Sequence, residues 1–247
     1  MNRYSRNILT IGSEGQKRLS EASVFIIGCG ALGGQVAMLL AGAGIGRIGV
    51  ADFDTIDITN LQRQLFFTES EAGERKLDIL ATRMAALNSE IGIEKYPELI
   101  RRQNAVKILT NYDFVVDATD NYVAKFEIDA VCNELGIPHC TGGVSGWRGQ
   151  VMSIDPRGVG DKNNSEVSMP DRKQNNFVSF GDVFTAPEND PEMLPCNVDG
   201  VIGAAASAIA SIQAAEVIKY FTGEGEMLFG RLMVMDLKRG FFNTVDL

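Results

Sequence analysis

Residues 24–34 read VFIIGCGALGG, and residues 52–64 read DFDTIDITNLQRQ. The first stretch decides the fold. The apolar run SVFII over 23–27 has the composition of a strand buried on both faces. Gly28, Gly30 and Gly33 then give G-x-G-x-x-G at the passage into a helix of small and apolar residues over 31–43. Glycines permit the tight turn and the close approach of backbone to phosphate. The helix start adds free N–H groups and a positive dipole end. A second strand over 47–51 (RIGVA) is closed by Asp52, where an acid accepts hydrogen bonds from ribose hydroxyls. Loop and acid together point to an adenine nucleotide, and by themselves they fit NAD, FAD or ATP equally.

Outward from this unit, strand and helix alternate. An amphipathic helix over 74–87 places Leu77, Leu80, Met84 and Leu87 on one stripe. Strands follow over 91–96, 112–117 and 137–141, with a helix over 121–135 between the last two. The expected fold is a doubly wound α/β, Rossmann-like sheet with a parallel core covered on both faces. After residue 142 the pattern changes. A strand is expected over 149–154, a helix over 199–220, and two closing antiparallel strands over 228–235 and 241–245. Residues 155–197 show little periodicity and are expected to be a long mobile loop; within them, 161–196 holds seven acidic and three basic residues. The whole chain reads as a single domain, 1–247, with residues 1–20 as an N-terminal arm.

Composition removes several function classes. A net charge of −9 argues against a nucleic-acid surface. The N-terminus lacks the apolar stretch of a signal peptide. The long apolar run over 201–221 carries Gln213, Glu216 and Lys219, so a buried helix is expected and no membrane span. Cys29, Cys132, Cys140 and Cys196 form no C-x-x-C pair, which leaves no zinc site and suggests a reducing, cytoplasmic setting. The one histidine, His139, reads as a structural strand residue rather than a catalytic base.

What separates ATP from NAD lies in four further residues. Asn60 and Arg63 stand just past the second strand, Lys76 at a helix start, and Asp120 just beyond the fourth strand. All belong at the carboxyl edge of the sheet, where open α/β folds bind ligands. Two cations and a carboxylate there suit a triphosphate with Mg²⁺: Arg63 and Lys76 to neutralise phosphates, Asp120 to hold the metal. A nicotinamide enzyme has no job for them, although an NAD-dependent oxidoreductase remains the alternative from another class.

This ordered set resembles the ThiF, MoeB and HesA group of ubiquitin-activating-enzyme-like adenylyltransferases. The matching residues are RYSRN (3–7), GCGALGG, DFDTIDITNLQRQ, the KLD lysine Lys76, DATDN and the run CNVDGVIGAAASAIASIQAAEVIKYFTG. The resemblance implies ATP-dependent adenylation of the C-terminal carboxylate of a small ubiquitin-like sulfur-carrier protein. The product is an acyl-adenylate for sulfur transfer, of the thiamine or molybdopterin type. Adenylation of a ribosomal peptide, or tRNA-base chemistry, is the runner-up. The resemblance also implies a homodimer in which Arg6 reaches the partner's ATP site. Asp54, Asn60 and Asn121 join Gly28, Gly30, Gly33, Asp52, Arg63, Lys76 and Asp120 as nucleotide-binding residues. Cys196 matches a cysteine that relatives use covalently, and Trp147 and Arg148 are candidates to line a channel for an extended tail. The chain departs from the group's pattern in lacking two C-x-x-C pairs for zinc, which leaves the acyl substrate open.

Overall fold

The computed structural model describes residues 3–158, 177–185 and 200–247. The helices are α1 (Ser5–Glu21), α2 (Gly33–Ala43), α3 (Lys76–Leu87), α4 (Arg102–Leu109), α5 (Tyr122–Leu135), α6 (Phe180–Val183) and α7 (Gly203–Thr222). The strands are β1 (Ser23–Ile27), β2 (Arg47–Ala51), β3 (Gly92–Tyr96), β4 (Phe114–Asp117), β5 (His139–Ser145), β6 (Arg148–Ile154), β7 (Arg231–Asp236) and β8 (Phe241–Asp246). All eight lie in one sheet, ordered β3-β2-β1-β4-β5-β6-β7-β8. The first five in that order pair in parallel, and β6, β7 and β8 are added antiparallel.

The alternation of side chains along β1 builds the two layers. Val24 and Ile26 point into a core shared with α2, α3 and α7. Phe25 and Ile27 point into the opposite core with α4 and α5. Because β1 is flanked by β2 on one side and β4 on the other, the chain winds away in both directions from its carboxyl end. That reversal opens a crevice, and the glycine loop leads straight into it.

The antiparallel half matches expectation, except that the first closing strand begins at Arg231 and not at 228. β5 runs on to Ser145 because Gly146 (φ 56°) turns the chain so that Ser145 pairs with Arg148. α7 is the buried helix expected from its run of small residues. Of its buried polar groups, Gln213 donates to backbone carbonyls while its amide oxygen has no partner, and Glu216 Oε2 accepts from Ser153 and the Leu228 N–H with Lys219 beside it. Among the described residues no helix is long and apolar enough to cross a membrane.

Two segments add to the sequence reading. Residues expected as an N-terminal arm form α1, broken at Gly12 (φ 70°), whose Gln16 side chain donates to the Ala43 carbonyl at 2.9 Å. Of the long segment 155–197, residues 159–176 and 186–197 lie outside the described residues. Residues 177–185 form a docked turn in which Phe180 packs on Met152, Ile154 and Phe126. The Phe180 N–H donates to Asp129, which also holds His139 at 3.1 Å. His139 is thus a buried structural group, as its sequence setting implied.

Candidate nucleotide-binding site

The glycine loop is shaped by close approach. Gly28 adopts φ 98°, a left-handed conformation that suits glycine, and donates to the Ala51 carbonyl at 2.8 Å. A Cβ on Gly33 would stand 1.8 Å from the Gly28 carbonyl oxygen, so no side chain fits there. Gly30 is different: its nearest neighbour on that side is the Gln64 amide nitrogen, 3.7 Å from where a Cβ would stand. No side chain caps the N-terminus of α2. Gln64 is buried, and its side-chain carbonyl oxygen has no hydrogen-bond partner. An uncapped helix start beside an open glycine fits an anionic group, and the orphan Gln64 oxygen, an acceptor, fits a donor such as a hydroxyl.

From this loop a chain of contacts leads to a buried cation. The Cys29 N–H donates to Asp52 Oδ2 at 2.6 Å, and the Asp54 N–H donates to Asp52 Oδ1 at 2.7 Å. Asp54 Oδ2 in turn receives Lys76 Nζ at 2.9 Å. Lys76 is the first residue of α3, and only 5% of it is exposed. It is brought back to β2 because residues 55 and 75 form a bridge and the Ile56 N–H donates to the Glu74 carbonyl. Burial lifts the Asp52 carboxyl above the usual carboxylate range, against the pull of the two N–H groups it accepts. The Cys29 thiol is pushed well up by burial and then by the Asp52 charge, which makes it an inert filler of the loop.

Asn60 and Arg63 lie on a turn that continues the 3-10 helix Ile58–Asn60. The Asn60 carbonyl accepts the N–H groups of Arg63 and Gln64, each at 3.0 Å. Arg63 is half-buried and donates to the Thr59 carbonyl at 3.1 Å. The start of α7 braces this turn: a Cβ on Gly203 would lie 2.7 Å from the Gln62 carbonyl oxygen and 3.2 Å from the Arg63 Cα. Asp120 sits on the loop after β4. That loop lies against Gly28, whose Cβ would meet the Ala118 carbonyl oxygen at 3.1 Å. The Asp120 side chain is exposed and has no hydrogen-bond partner among the described residues. Asn121 is the N-cap of α5, its side chain accepting the Ala124 N–H at 3.1 Å.

Beneath the Asp120 loop lies an ion pair the sequence reading passed over. Asp117 is 1% exposed. Its Oδ2 receives Lys125 Nζ at 3.2 Å and the Thr141 hydroxyl at 2.8 Å. Its Oδ1 receives the N–H and hydroxyl of Thr119, which sets the course of the loop toward Asp120. Lys125 also donates to Thr141 Oγ1 and to the Gly142 carbonyl at 2.8 Å. From α7, Gln213 donates to the Asp117 carbonyl at 3.0 Å and fills the space that a Cβ on Gly142 would need. The signal available in the sequence was Lys125 itself, beside Ala124 and Ile128 on the apolar stripe of α5.

Other expected site residues lie apart. Arg6 is on α1, whose neighbouring Tyr4 and Asn7 contact Gly44 and Ala43 at the far end of α2. Eleven residues of helix put that end about 16 Å from the glycine loop, so Arg6 lies away from this site. Trp147, half-exposed, is in the β5–β6 turn, and Arg148, the first residue of β6, is paired with Asp236 at 3.4 Å. Cys196 lies outside the described residues. Among those residues there is no cluster of three or more His, Cys, Asp or Glu side chains suited to a metal.

Comparison with known proteins places the chain in a family and a fold. Residues 4–247 match the profile of the ThiF family. Over 248 residues the chain is 35% identical to the adenylyltransferase and sulfurtransferase MOCS3 of Dictyostelium discoideum, covering 99% of this chain and 54% of that protein. The chain thus spans about half the length of the MOCS3 relatives it matches. It is 32% identical over 247 residues to the sulfur carrier protein adenylyltransferase of Thermus thermophilus, covering 99% of this chain and 86% of that one. Among solved structures, Escherichia coli MccB with ATP superposes with a TM-score of 0.80 at 23% identity, over 100% of this chain and 71% of that one. PaaA superposes with a TM-score of 0.78 at 21% identity, over 99% and 72%. These two likenesses show the shared fold alone.

Proposed function

The chain belongs to the ThiF family, and from that premise we propose that it adenylates the C-terminal carboxylate of a small ubiquitin-like sulfur-carrier protein. The observation that carries this reading is the convergence at one crevice of four features. They are the anion cradle at Gly30, the acid Asp52, the buried ammonium of Lys76 and the unpartnered carboxylate of Asp120. Relatives bearing the name adenylyltransferase, at 32–35% identity over 99% of the chain, support it.

In this reading the carrier's terminal carboxylate oxygen attacks the α-phosphorus of ATP. The bond to the bridging oxygen breaks, and pyrophosphate leaves with both electrons of that bond. The attacking group is already ionised, so no general base is needed. Catalysis falls to positioning and charge neutralisation. The Gly28–Gly33 loop with Gln64 cradles the nucleotide, Asp52 meets the ribose, and Asn60 and Asn121 order the turns around it. Lys76 and Arg63 neutralise the phosphates. Bound Mg²⁺ would supply further neutralisation. One carboxylate beside phosphate oxygens suffices for Mg²⁺, and Asp120 is free to serve. A homodimer, in which the far-end Arg6 serves the neighbouring protomer, a covalent role for Cys196 and work in a reducing cytoplasm complete the proposal. The alternatives are a ribosomal peptide as acyl substrate or a nicotinamide enzyme.

The test is ATP–pyrophosphate exchange with a panel of carriers ending in Gly-Gly and a peptide arm. Carrier-dependent exchange is expected; its absence across the whole panel sinks the reading. Asp120→Ala is expected to abolish exchange with an unchanged circular dichroism spectrum, and a fully active variant would remove Asp120 from the metal. Protection from heat by NAD, and not by Mg-ATP, would move the protein to the nicotinamide class.

A further inference from the structure

We propose that Asp54 is a positioning residue that acts through Lys76, and not a ligand of the nucleotide; this rests on the adenylation reading above. Lys76 is almost wholly removed from water, a costly place for an ammonium without a counter-ion. Asp54 supplies that counter-ion at 2.9 Å. It also fixes the lysine's backbone, because the Lys76 N–H donates to the Asp54 carbonyl at 3.1 Å.

The hold is partial by construction. An ammonium carries three donors, and among the described residues Lys76 spends one of them on a side chain. Two stay available for phosphate oxygens while Asp54 keeps the third. Asp54 is itself placed from the glycine loop, since Cys29 holds Asp52 and Asp52 holds the Asp54 N–H. The same short relay therefore sets both the cradle and the cation that faces it. The other groups in the field of Lys76 are Asp52, Asp57 and the Cys29 thiol. None of these three donates to or accepts from its side chain, so Asp54 is the partner whose removal changes Lys76.

The full-length chain tests this with Asp54→Asn and Asp54→Glu. Lysine-labelled protein without nucleotide is followed by NMR, with Lys76→Met identifying the Lys76 signal. In Asp54→Asn that signal is expected to move, because the ammonium loses its counter-ion. The KM for ATP in pyrophosphate exchange is expected to rise about tenfold, and Asp54→Asn added to Lys76→Met is expected to raise it no further. Asp54→Glu is expected to restore most of both. An unmoved Lys76 signal overturns the proposal, as does an equal further loss of ATP affinity when Asp54→Asn is added to Lys76→Met, which would mark Asp54 as a direct ligand. A wild type with no exchange at all is a failure of the adenylation reading, and the nucleotide-free NMR arm still decides the role of Asp54.

Discussion

On one side of the glycine loop, Lys125 is shut in with Asp117; on the other, Lys76 meets an aspartate that is half in water. The two lysine side chains are equally buried, at 7% exposure each, but their partners differ: 1% for Asp117 and 50% for Asp54. Lys125 makes three hydrogen bonds and has no donor left over. Lys76 makes one through its side chain. A saturated, doubly buried pair holds architecture together. A pair with spare donors and a hydrated partner is poised to take a ligand. The difference explains how one crevice has both a rigid floor under Asp120 and an accessible charge beside the glycine loop.

The most forceful way to break this comparison is Lys125→Met. It leaves the Asp117 carboxylate buried and uncompensated, and is expected to cost about 3–5 kcal/mol of stability in urea unfolding at neutral pH. A loss under about 1 kcal/mol would mean that Asp117 finds water, and the contrast would fail. Lys76→Met should behave in the opposite manner. Its half-exposed partner can rehydrate, so stability should change by about 1 kcal/mol or less. Affinity for ATP should nevertheless fall by about a hundredfold, measured by calorimetry. Removing both charges of the locked pair, as Asp117→Asn with Lys125→Met, sharpens the point. The double variant should recover much of the single variant's loss and remain within about 2 kcal/mol of wild type.

The smallest expected effect concerns Asp52, which sits between the loop and the open pair. Burial raises its carboxyl in the folded protein. The folded chain therefore binds this proton more readily than the unfolded chain. Its contribution to stability is present at low pH and is lost as pH rises through the folded value. The stability of wild type minus that of Asp52→Ala should accordingly be larger at about pH 3 than at about pH 7. A difference that grows with pH instead would show that the N–H groups of Cys29 and Asp54 outweigh burial.

Much of the fold was legible because its signals are local. The apolar runs of β1, β2 and β4, the glycines between β1 and α2, and the stripe of α3 each declare themselves within a dozen residues. α4 was not legible. It has eight residues and buries only Ala105, Ile108 and Leu109, which is too short a stripe to stand out. In the site, the types and order of Asp52, Arg63, Lys76 and Asp120 were readable, while their contacts were not. Nothing in GERKLD announces that Lys76 pairs with Asp54, and nothing in TNLQRQ announces that the Gln64 amide is buried and unsatisfied. Arg6 belongs to the recognisable RYSRN run, yet only the packing of Tyr4 and Asn7 on the far end of α2 shows that it is remote from the glycine loop.

By itself the sequence determined the strand–glycine–helix unit, the parallel core with its antiparallel extension, and the chemical kinds of group at the carboxyl edge. These follow from periodicity and backbone conformation, which act between near neighbours. Tertiary structure alone decided which lysine is locked and which is left open. Water is stripped from a side chain by whatever elements stack over it, and those elements come from far along the chain. Thr141 and Gly142 close over Lys125 from β5, and Gln213, 96 residues from Asp117, seals the same pair from α7.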